Sequence, residues 1–168
     1  MSATNSYICH YRSWPGCLIL ASDGEALTGL WFDRQAHFPN TLPNIYSESV
    51  SATCDLPIFQ ETFRWLRAYF AGRDPDFTPA IRPAGTMFQK RVWEAVREIP
   101  YGKTISYGEI AQHLSSSARA VGQAVANNPI LLITPCHRVI GADGLLHGFA
   151  GGLDRQAQLL ALERAKIL

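Results

Sequence analysis

Two helix-start signatures in the second half of the chain constrain its fold more than any other feature. Thr86 with Gln89, and Ser106 with Glu109, match the S/T-x-x-E/Q capping box, in which two side chains satisfy free amides at a helix N-terminus. The first box predicts a helix that continues to Ile99. The apolar residues that recur on one face of this helix are Phe88, Val92, Val96 and Ile99.

The second box begins a pair of short helices. One is predicted from Ser106 to about Leu114, and after three serines the other runs from about Ala118 to Asn127. Two short helices joined by a tight turn indicate a helix-turn-helix. The second helix, "ARAVGQAVAN", carries mostly small side chains, so it can approach another backbone closely. That backbone is either DNA or a neighbouring helix, and the pattern leaves both open.

Alternating apolar and polar residues dominate the start of the chain. Over residues 6–32 they surround Pro-Gly and Asp-Gly turn signals and predict an antiparallel meander. Residues 33–55 show little periodicity and are predicted to be irregular. Helical spacing returns between Leu56 and Ala71, and a Pro- and Gly-rich linker follows.

These elements divide the chain of 168 residues into two modules. We predict an α/β fold in which a small N-terminal module of antiparallel sheet and helix, residues 1–78, packs on a mostly helical module with the helix-turn-helix, residues 79–168. Residues 1–84 contain 6 Lys/Arg and 8 Asp/Glu, and residues 85–168 contain 9 and 6. The mildly basic second half is compatible with a polyanionic partner but does not require one.

The four cysteines, at positions 9, 17, 54 and 136, form no CxxC pair. The polar N-terminus has no apolar signal segment, and no stretch suits a membrane span. We therefore expect a cytoplasmic, intracellular protein with reduced thiols and no membrane partner. Zinc binding through Cys9, Cys17, His10 or His37 is the alternative, but their spacing does not support it, and we predict no metal.

A cysteine between proline and histidine follows the apolar run "ILLI", residues 130–133, which predicts a buried strand. Pro135 and Gly141 indicate that Cys136 lies in a turn beyond this strand, where it can contact His137 directly or through a water. A thiolate stabilised by a cation or a histidine is a nucleophile. A free cysteine is also a common core residue, and local spacing leaves both interpretations open.

The last predicted helix, residues 153–166, places Glu163 on or beside its apolar face. A buried carboxylate is costly unless it has a partner. That partner is either Arg or Lys in a salt bridge at the rim, or His137, which Glu163 would then orient as in a catalytic triad. The core stripe predicted for this helix consists of Leu153, Ala157 and Leu160.

A family resemblance extends far beyond "PCHR". The segments that carry it are, in order, "GTMFQKRVWEAVREIPYGKTISYGEIA", "ARAVGQAVANNP", "PCHRVIGADG" and "GFAGGLDRQAQLLALE". Together they resemble the O6-alkylguanine-DNA alkyltransferases, also called methylated-DNA–protein-cysteine methyltransferases. The resemblance covers residues 85–165, and the first half agrees loosely. It implies direct DNA repair by an irreversible, stoichiometric alkyl transfer, performed by a single-use, monomeric enzyme without a cofactor.

The resemblance also implies the chemical roles of individual residues. Cys136 accepts the alkyl group from O6 of guanine, His137 deprotonates Cys136 through a water, and Glu163 supports His137. Tyr107 gives a proton to the leaving guanine. Asn128 braces this network and the active-site turn; a helix C-cap is its purely structural role, and both roles can hold together.

The partner implied by the resemblance is duplex DNA that contains O6-alkylguanine, with O4-alkylthymine left open. The damaged base is flipped out, Arg119 fills its place, and the helix with Arg119 docks in the minor groove. The implied DNA-binding residues are Tyr107, Arg119, Ala120 and Gly122. The implied base-pocket residues are Val125, Val139, Phe149 and Ala150.

Three features depart from the family pattern. Phe149 stands where a tyrosine is usual, so any hydroxyl contact with the base is lost. The turn within "HLSSSARAVG" is shorter than usual, which leaves its geometry open. Leu131 and Thr134 replace residues that are commonly proline and aliphatic, and we expect little effect on the chemistry.

Three rival functions are weaker than direct repair. Non-catalytic relatives that bind alkylated DNA carry tryptophan in place of Cys136. A cysteine hydrolase needs an oxyanion hole, for which the sequence has no signal. A transcription regulator fused to an alkylation sensor brings a cysteine-rich metal site, and residues 1–84 contain no such cluster.

Overall fold

A four-stranded sheet forms near the start of the chain, within residues 6–52. The computed structural model describes residues 5–35 and 38–164. In chain order the strands are β1 Ser6–Tyr11, β2 Leu18–Ser22, β3 Leu27–Phe32 and β4 Val50–Ala52. Strands β1 to β3 form the predicted antiparallel meander, and β4 pairs with β1 in parallel. The prediction of irregular structure was wrong at β4, because a strand this short shows no alternation.

Helix α1, Pro57–Phe70, packs on this sheet and agrees with the prediction. It ends at Gly72, whose φ of 77° suits glycine, and the amide of Arg73 donates to the carbonyl of Ala68 at 3.0 Å. The buried residues of α1 are Ile58, Phe59, Thr62, Trp65, Leu66 and Tyr69. Thr62 and Tyr69 are the two of these residues that carry a hydroxyl group, so the buried face of α1 resembles that of an ordinary core helix.

A disulfide joins Cys9 in β1 to Cys54, just after β4. The expectation of reduced thiols was therefore wrong for these two residues, because the parallel pairing of β1 with β4 brings together positions 45 residues apart. Cys17 and Cys136 are free. Within residues 5–35 and 38–164, no group of three His, Cys, Asp or Glu could hold a metal ion, and His37 lies outside these ranges.

Three helices of the second half begin where the sequence predicts. They are α2 Met87–Arg97, α3 Tyr107–His113 and α4 Ala118–Ala126. Both capping boxes form, with the amide of Gln89 donating to Thr86 Oγ1 at 3.1 Å and that of Glu109 to Ser106 Oγ at 3.1 Å. The buried indole of Trp93 donates to the carbonyl of Ala124 at 2.8 Å and so fastens α2 to α4.

The turn between α3 and α4 is closed by two backbone hydrogen bonds. The amide of Ser115 donates to Gln112 O at 3.3 Å, and that of Ser116 to Ala111 O at 2.8 Å. This is the Schellman pattern, which requires a left-handed residue that is usually glycine. Ser115 takes that place with a φ of 53°. Although the turn is short, it therefore contains both hydrogen bonds of the Schellman motif and ends α3.

Residues 130–133 are buried, but the strand predicted there was wrong. Only Ile130 pairs, in an isolated bridge with Leu30 of β3, where the amide of Leu131 donates to Leu30 O at 2.8 Å. The chain then turns, with Leu132 at a φ of 71°. A short apolar run is compatible with any buried backbone, so composition alone could not separate strand from turn.

Helix α5, Leu153–Arg164, ends the described part of the chain. Its buried residues are Gln156, Leu159, Leu160 and Glu163. The predicted stripe was right for Leu160 and wrong for Leu153 and Ala157, which are exposed. Two polar residues, Gln156 and Glu163, occupy core positions on α5, so the pattern of apolar residues did not reveal which face of the helix is buried. None of the helices in the described ranges is both long and apolar enough to cross a membrane.

Candidate active site

Cys136 begins a single 3-10 turn, Cys136–Arg138, instead of a strand. The turn leads into a short strand β6, Val139–Ile140, which pairs in parallel with β5, Ile105–Ser106. Tyr107 follows β5 directly, so this pairing brings the start of α3 close to the cysteine turn. The predicted turn at Cys136 is thereby confirmed in its position between Pro135 and β6.

The thiol of Cys136 is held by Asn128 and is only 3% exposed. Asn128 Nδ2 donates to Cys136 Sγ at 3.3 Å and to Thr134 O at 3.0 Å, and Asn128 Oδ1 accepts from the amide of Ile130 at 3.0 Å. Burial raises the pKa of Cys136 to about 12, against the opposing effect of the Asn128 hydrogen bond. The resting thiol is protonated and needs a base.

His137 is fully buried, and its ring nitrogens differ in their surroundings. Nε2 lies 3.1 Å from Glu163 Oε1 and 3.2 Å from the hydroxyl of Tyr69. Nδ1 has no hydrogen-bond partner among the described residues. Burial also lowers the pKa of His137 below its ordinary value. The neutral imidazole is therefore the resting form.

The charge state of Glu163 decides which nitrogen of His137 carries the proton. Burial alone would raise the pKa of Glu163, but hydrogen bonds and charge from His137 and Arg138 hold it at about 2. An ionised carboxylate only accepts hydrogen bonds, so the proton of His137 lies on Nε2. Nδ1 then carries the lone pair and can act as a base.

Arg138 supplies the cation that the core carboxylate needs. Its Nε donates to Glu163 Oε1 at 2.9 Å, and its Nη2 donates to the same oxygen at 2.5 Å. Nη1 donates to the carbonyl of Ile99 at 2.8 Å, and the guanidinium lies 5.6 Å from the centroid of the Tyr101 ring. Both partners predicted for Glu163 are therefore present, although the arginine pair is buried instead of at the rim.

Gln156 and Tyr69 belong to the same buried cluster, and sequence reasoning missed both. Gln156 Nε2 donates to the carbonyls of His137 and Val139, at 3.1 and 3.2 Å, and so holds both ends of the turn. Gln156 could have been found as a polar residue one turn before Leu160 in an apolar stripe. Tyr69 gave no local signal, because its contacts reach 68 and 94 residues along the chain.

An open groove of about 580 Å³ lies beside the site, between α4 and residues 142–148. The hydroxyl of Tyr107 donates to the carbonyl of His147 at 2.8 Å across this groove. Burial and the nearby Cys136 raise the pKa of Tyr107 to about 12. The residues that line the groove include Tyr107, Gly108, Arg119, Gly122, His147 and Gly148.

The structure places the predicted DNA and base-pocket residues in two different settings. Tyr107, Arg119 and Gly122 line the groove, whereas Ala120 is half-buried and does not. The four predicted pocket residues are buried and do not line the groove either. Among them Phe149 packs edge-on against His137, with ring centroids 6.3 Å apart. The buried pocket residues are Val125, Val139, Phe149 and Ala150.

The side chain of Asn128 does not cap α4, although its backbone amide donates to the carbonyl of Val125 in the last turn at 3.1 Å. The cap is its neighbour Asn127, whose Nδ2 donates to the carbonyl of Gln123 at 2.8 Å. The side chain of Asn128 is used entirely within the segment 128–136, through its bonds to Ile130, Thr134 and Cys136. The C-cap position predicted at Asn128 is therefore occupied by Asn127, while the backbone amide of Asn128 still contributes to the end of the helix.

Comparison with known proteins yields matches along almost the whole chain. The model of the 6-O-methylguanine DNA methyltransferase ribonuclease-like domain matches residues 7–83, and that of the DNA binding domain matches residues 87–165. A methylated-DNA–protein-cysteine methyltransferase of Haemophilus influenzae is 40% identical over 164 residues, 96% of this chain and 88% of the relative. One of Mycobacterium leprae is 44% identical over 155 residues, 91% and 89% of the two chains.

Solved structures agree with the predicted fold class. The crystal structure of Mycobacterium tuberculosis OGT in complex with DNA has a TM-score of 0.83 and 40% identity to this chain, and covers 95% of it and 94% of the other. A crystal structure of Mycobacterium tuberculosis O6-methylguanine methyltransferase has a TM-score of 0.82 and 41% identity, with coverages of 95% and 93%. The α/β fold predicted from the sequence is confirmed.

Proposed function

The chain belongs to the family of methylated-DNA–protein-cysteine methyltransferases, as its sequence resemblance indicated, and we propose that Cys136 is the cysteine on which it receives an alkyl group from O6 of guanine in DNA. One observation carries this assignment. Cys136 is a free thiol whose sulfur accepts a hydrogen bond from Asn128, directly beside the buried His137–Glu163 pair. A core cysteine needs none of these partners.

The transfer is a substitution at an sp³ carbon. The sulfur of Cys136 forms a bond to that carbon while the bond from carbon to guanine O6 breaks, and the bonding electron pair leaves with guanine. The thiol proton passes through a water to Nδ1 of His137, and guanine receives a proton in exchange for its alkyl group. The thioether carries no charge and does not release the alkyl group, so each molecule acts once.

Tyr107 is the proposed source of the proton for guanine. A phenol with a pKa of about 12 keeps its proton in the resting site and donates it only as negative charge develops on the leaving guanine; the proton taken up by His137 then returns to the Tyr107 oxygen through water. Its hydroxyl is already turned toward the backbone of His147, on the wall of the groove. Guanine bound in this groove would replace that carbonyl as the acceptor.

DNA is proposed to bind along the groove beside α4. The exposed Arg119 and the small residues Ala118, Gly122 and Ala126 line it, which suits close approach to a minor groove. A thiol that is 3% exposed cannot reach a base inside a stacked duplex. The damaged nucleotide must therefore leave the stack, and Arg119 is positioned to fill the space that it vacates.

Intact-protein mass spectrometry tests this function. The protein is mixed with duplex DNA that contains one O6-methylguanine, and the product is digested and mapped. We expect a single methyl group on Cys136 and none on Cys17, the other free cysteine in the described part of the chain. A duplex with O4-methylthymine, run in parallel, decides whether that lesion is also a substrate.

Three results would contradict the proposal. A methyl group on Cys17 would move the reaction elsewhere, and an unmodified protein that still binds the lesion would leave recognition without repair. Repeated turnover of substrate by one protein molecule would indicate a hydrolase. A Cys136→Ser variant serves as the matched control, since it keeps the size of the side chain and removes the thiol.

A further inference from the structure

Tyr69 connects the N-terminal module to the base of the proposed reaction. It is fully buried on α1, and its hydroxyl lies 3.2 Å from His137 Nε2 and 3.3 Å from Glu163 Oε1. We propose that Tyr69 is a positioning residue that holds His137 with Nδ1 free to accept the proton of Cys136. This inference rests on the proposed function, and it gives the N-terminal module a part in the chemistry.

The ring of Tyr69 is fixed from several sides, so the direction of its hydroxyl is set by the fold. Trp65, one turn earlier on α1, stacks on it with centroids 5.3 Å apart and an interplanar angle of 8°. Phe70 and Tyr101 meet it edge-on at 5.5 and 6.2 Å. Because α1 is itself packed on the sheet, the position of this hydroxyl is determined by the N-terminal module.

The hydrogen-bond roles of Tyr69 follow from its two partners. Glu163 is ionised and only accepts, so the phenol proton points to Glu163 Oε1. A lone pair of the phenol oxygen is then left for the Nε2 proton of His137. Burial and the neighbouring Glu163 also raise the pKa of Tyr69 far above its ordinary value, so it stays a neutral phenol.

This arrangement favours one tautomer before the reaction and stabilises the cation during it. With two acceptors at Nε2, the proton of neutral His137 does not move to Nδ1. When Nδ1 takes the thiol proton, the imidazolium keeps both acceptors. The titratable and charged groups around His137 are Tyr69, Tyr101, Cys136, Arg138 and Glu163.

Tyr69→Phe tests the inference, because it removes the hydroxyl and keeps the ring. We expect the rate of methyl transfer to fall about tenfold, the loss of one hydrogen bond to a charged group. The midpoint of the pH–rate profile should move to lower pH, since the imidazolium loses an acceptor. ¹⁵N spectra of His137 should keep the Nε2–H tautomer, because Glu163 still accepts at 3.1 Å, but the Nε2 resonance should shift with the loss of the second acceptor.

Tyr101→Phe is the matched control. Its ring packs edge-on against Tyr69, and its buried hydroxyl has no hydrogen-bond partner among the described residues. The same atom is therefore removed from a neighbouring ring that makes no hydrogen bond to His137 or Glu163 in the described contacts, and the ring beside Arg138 is kept. The rate, the pH profile and the ¹⁵N spectrum should all stay as in the unmodified protein.

The inference fails if Tyr69→Phe reacts at the original rate with the original pH profile and an unchanged ¹⁵N resonance of His137 Nε2. If the unmodified protein transfers no methyl group, the proposed function fails instead, and the ¹⁵N spectrum still decides the role of Tyr69 without DNA. Should Tyr69→Phe not fold, 3-fluorotyrosine at position 69 keeps the hydroxyl and alters its donor strength. An unchanged His137 spectrum in that protein would also overturn the inference.

Discussion

Arg138 donates through Nε and Nη2 to the carboxylate of Glu163, and this ion pair lies in the core directly behind His137. The pair keeps Glu163 ionised, and the ionised carboxylate keeps the His137 proton on Nε2. Arg138 thus influences the protonation of His137 Nε2 through Glu163, without contacting that nitrogen itself. Removing one partner of such a pair leaves the other charge buried without compensation.

Glu163→Gln should lower the free energy of unfolding by about 3 kcal/mol at neutral pH. The folded pKa of Glu163, about 2, is below its ordinary value of 4.5, so its stabilisation is present above pH 4.5 and lost as the pH falls through about 2. His137, whose pKa is also lowered, adds to the loss of stability in acid. Urea unfolding at neutral pH and near pH 2 measures both values.

The difference between the Gln variant and the unmodified protein should shrink as the pH falls through about 2, because Glu163 is then increasingly protonated and uncharged, like the glutamine. Glu94→Gln, an exposed change on α2, is the control and should leave stability unchanged at both pH values. An equal difference at neutral and acidic pH would show that Glu163 stabilises by packing and not by charge.

Asn128→Ala should slow methyl transfer and weaken the fold together. The change removes the hydrogen bond to Cys136 Sγ, which opposes the rise in thiol pKa, and two further bonds that shape the segment before the turn. We expect stability to fall by about 2 kcal/mol and the transfer rate on the order of tenfold. Thermal unfolding and rapid-quench transfer assays measure the two effects.

Asn127→Ala provides the comparison for Asn128. It truncates the adjacent residue, which is exposed and whose side chain, in the described contacts, bonds only to Gln123 O of its own helix. Its transfer rate should match that of the unmodified protein. If both variants lose the same activity, the effect comes from the end of α4 and not from the thiol.

The sequence predicted elements that are specified by neighbouring residues. The capping boxes at Thr86 and Ser106 fixed two helix starts, since their hydrogen bonds join residues three positions apart. The strand predicted at residues 130–133 was wrong because burial there depends on β3, about a hundred residues earlier in the chain. The local sequence pattern predicted a strand at that segment, whereas its tertiary contacts produce an isolated bridge followed by a turn.

The candidate site divides in the same way. Cys136 and His137 are adjacent, and the sequence signalled them together. The role of Tyr69 was not predicted, because an aromatic residue on the apolar face of a helix looks like any other core residue in the sequence. Only the structure shows that its hydroxyl contacts His137 and Glu163. The Cys9–Cys54 bond was missed for a similar reason, since only the pairing of β1 with β4 brings the two residues together.

Arg119→Ala should reduce methyl transfer from duplex DNA without affecting the site itself. Arg119 is exposed on α4 at the groove, so its removal should leave thermal stability unchanged. We expect the rate on duplex DNA to fall on the order of tenfold or more, because the vacated stack is no longer filled. The rate with free O6-benzylguanine, which needs no flipping, should be preserved.

The control for Arg119 is Arg97→Ala, an equally exposed arginine on α2 away from the groove. It removes the same charge, so it reports any general loss of electrostatic attraction to DNA. Equal losses of transfer rate in the two variants would show that Arg119 contributes only a non-specific electrostatic contact with phosphate.

Reduction of the Cys9–Cys54 disulfide should destabilise the protein by about 2–4 kcal/mol. The bond closes a loop of 45 residues and so restricts the unfolded chain. Because neither cysteine contacts the cluster around Cys136 in the described contacts, methyl transfer should continue after treatment with dithiothreitol at moderate temperature. Urea unfolding with and without reductant measures the effect, and a Cys9→Ser, Cys54→Ser variant should reproduce it. An unchanged unfolding midpoint would mean that the bond does not form in solution.

Ser115→Gly should stabilise the turn between α3 and α4. Ser115 has a φ of 53°, which costs an L-residue about 1 kcal/mol and costs glycine little. Glycine also loses more entropy on folding, which offsets part of the gain. Ser116→Gly, the same change at a neighbour outside the left-handed region, carries only that entropic loss. The two variants should therefore differ by about 1 kcal/mol in thermal or urea unfolding, with Ser115→Gly the more stable. Equal stabilities would contradict the left-handed conformation of Ser115 and so the backbone described for the turn between α3 and α4.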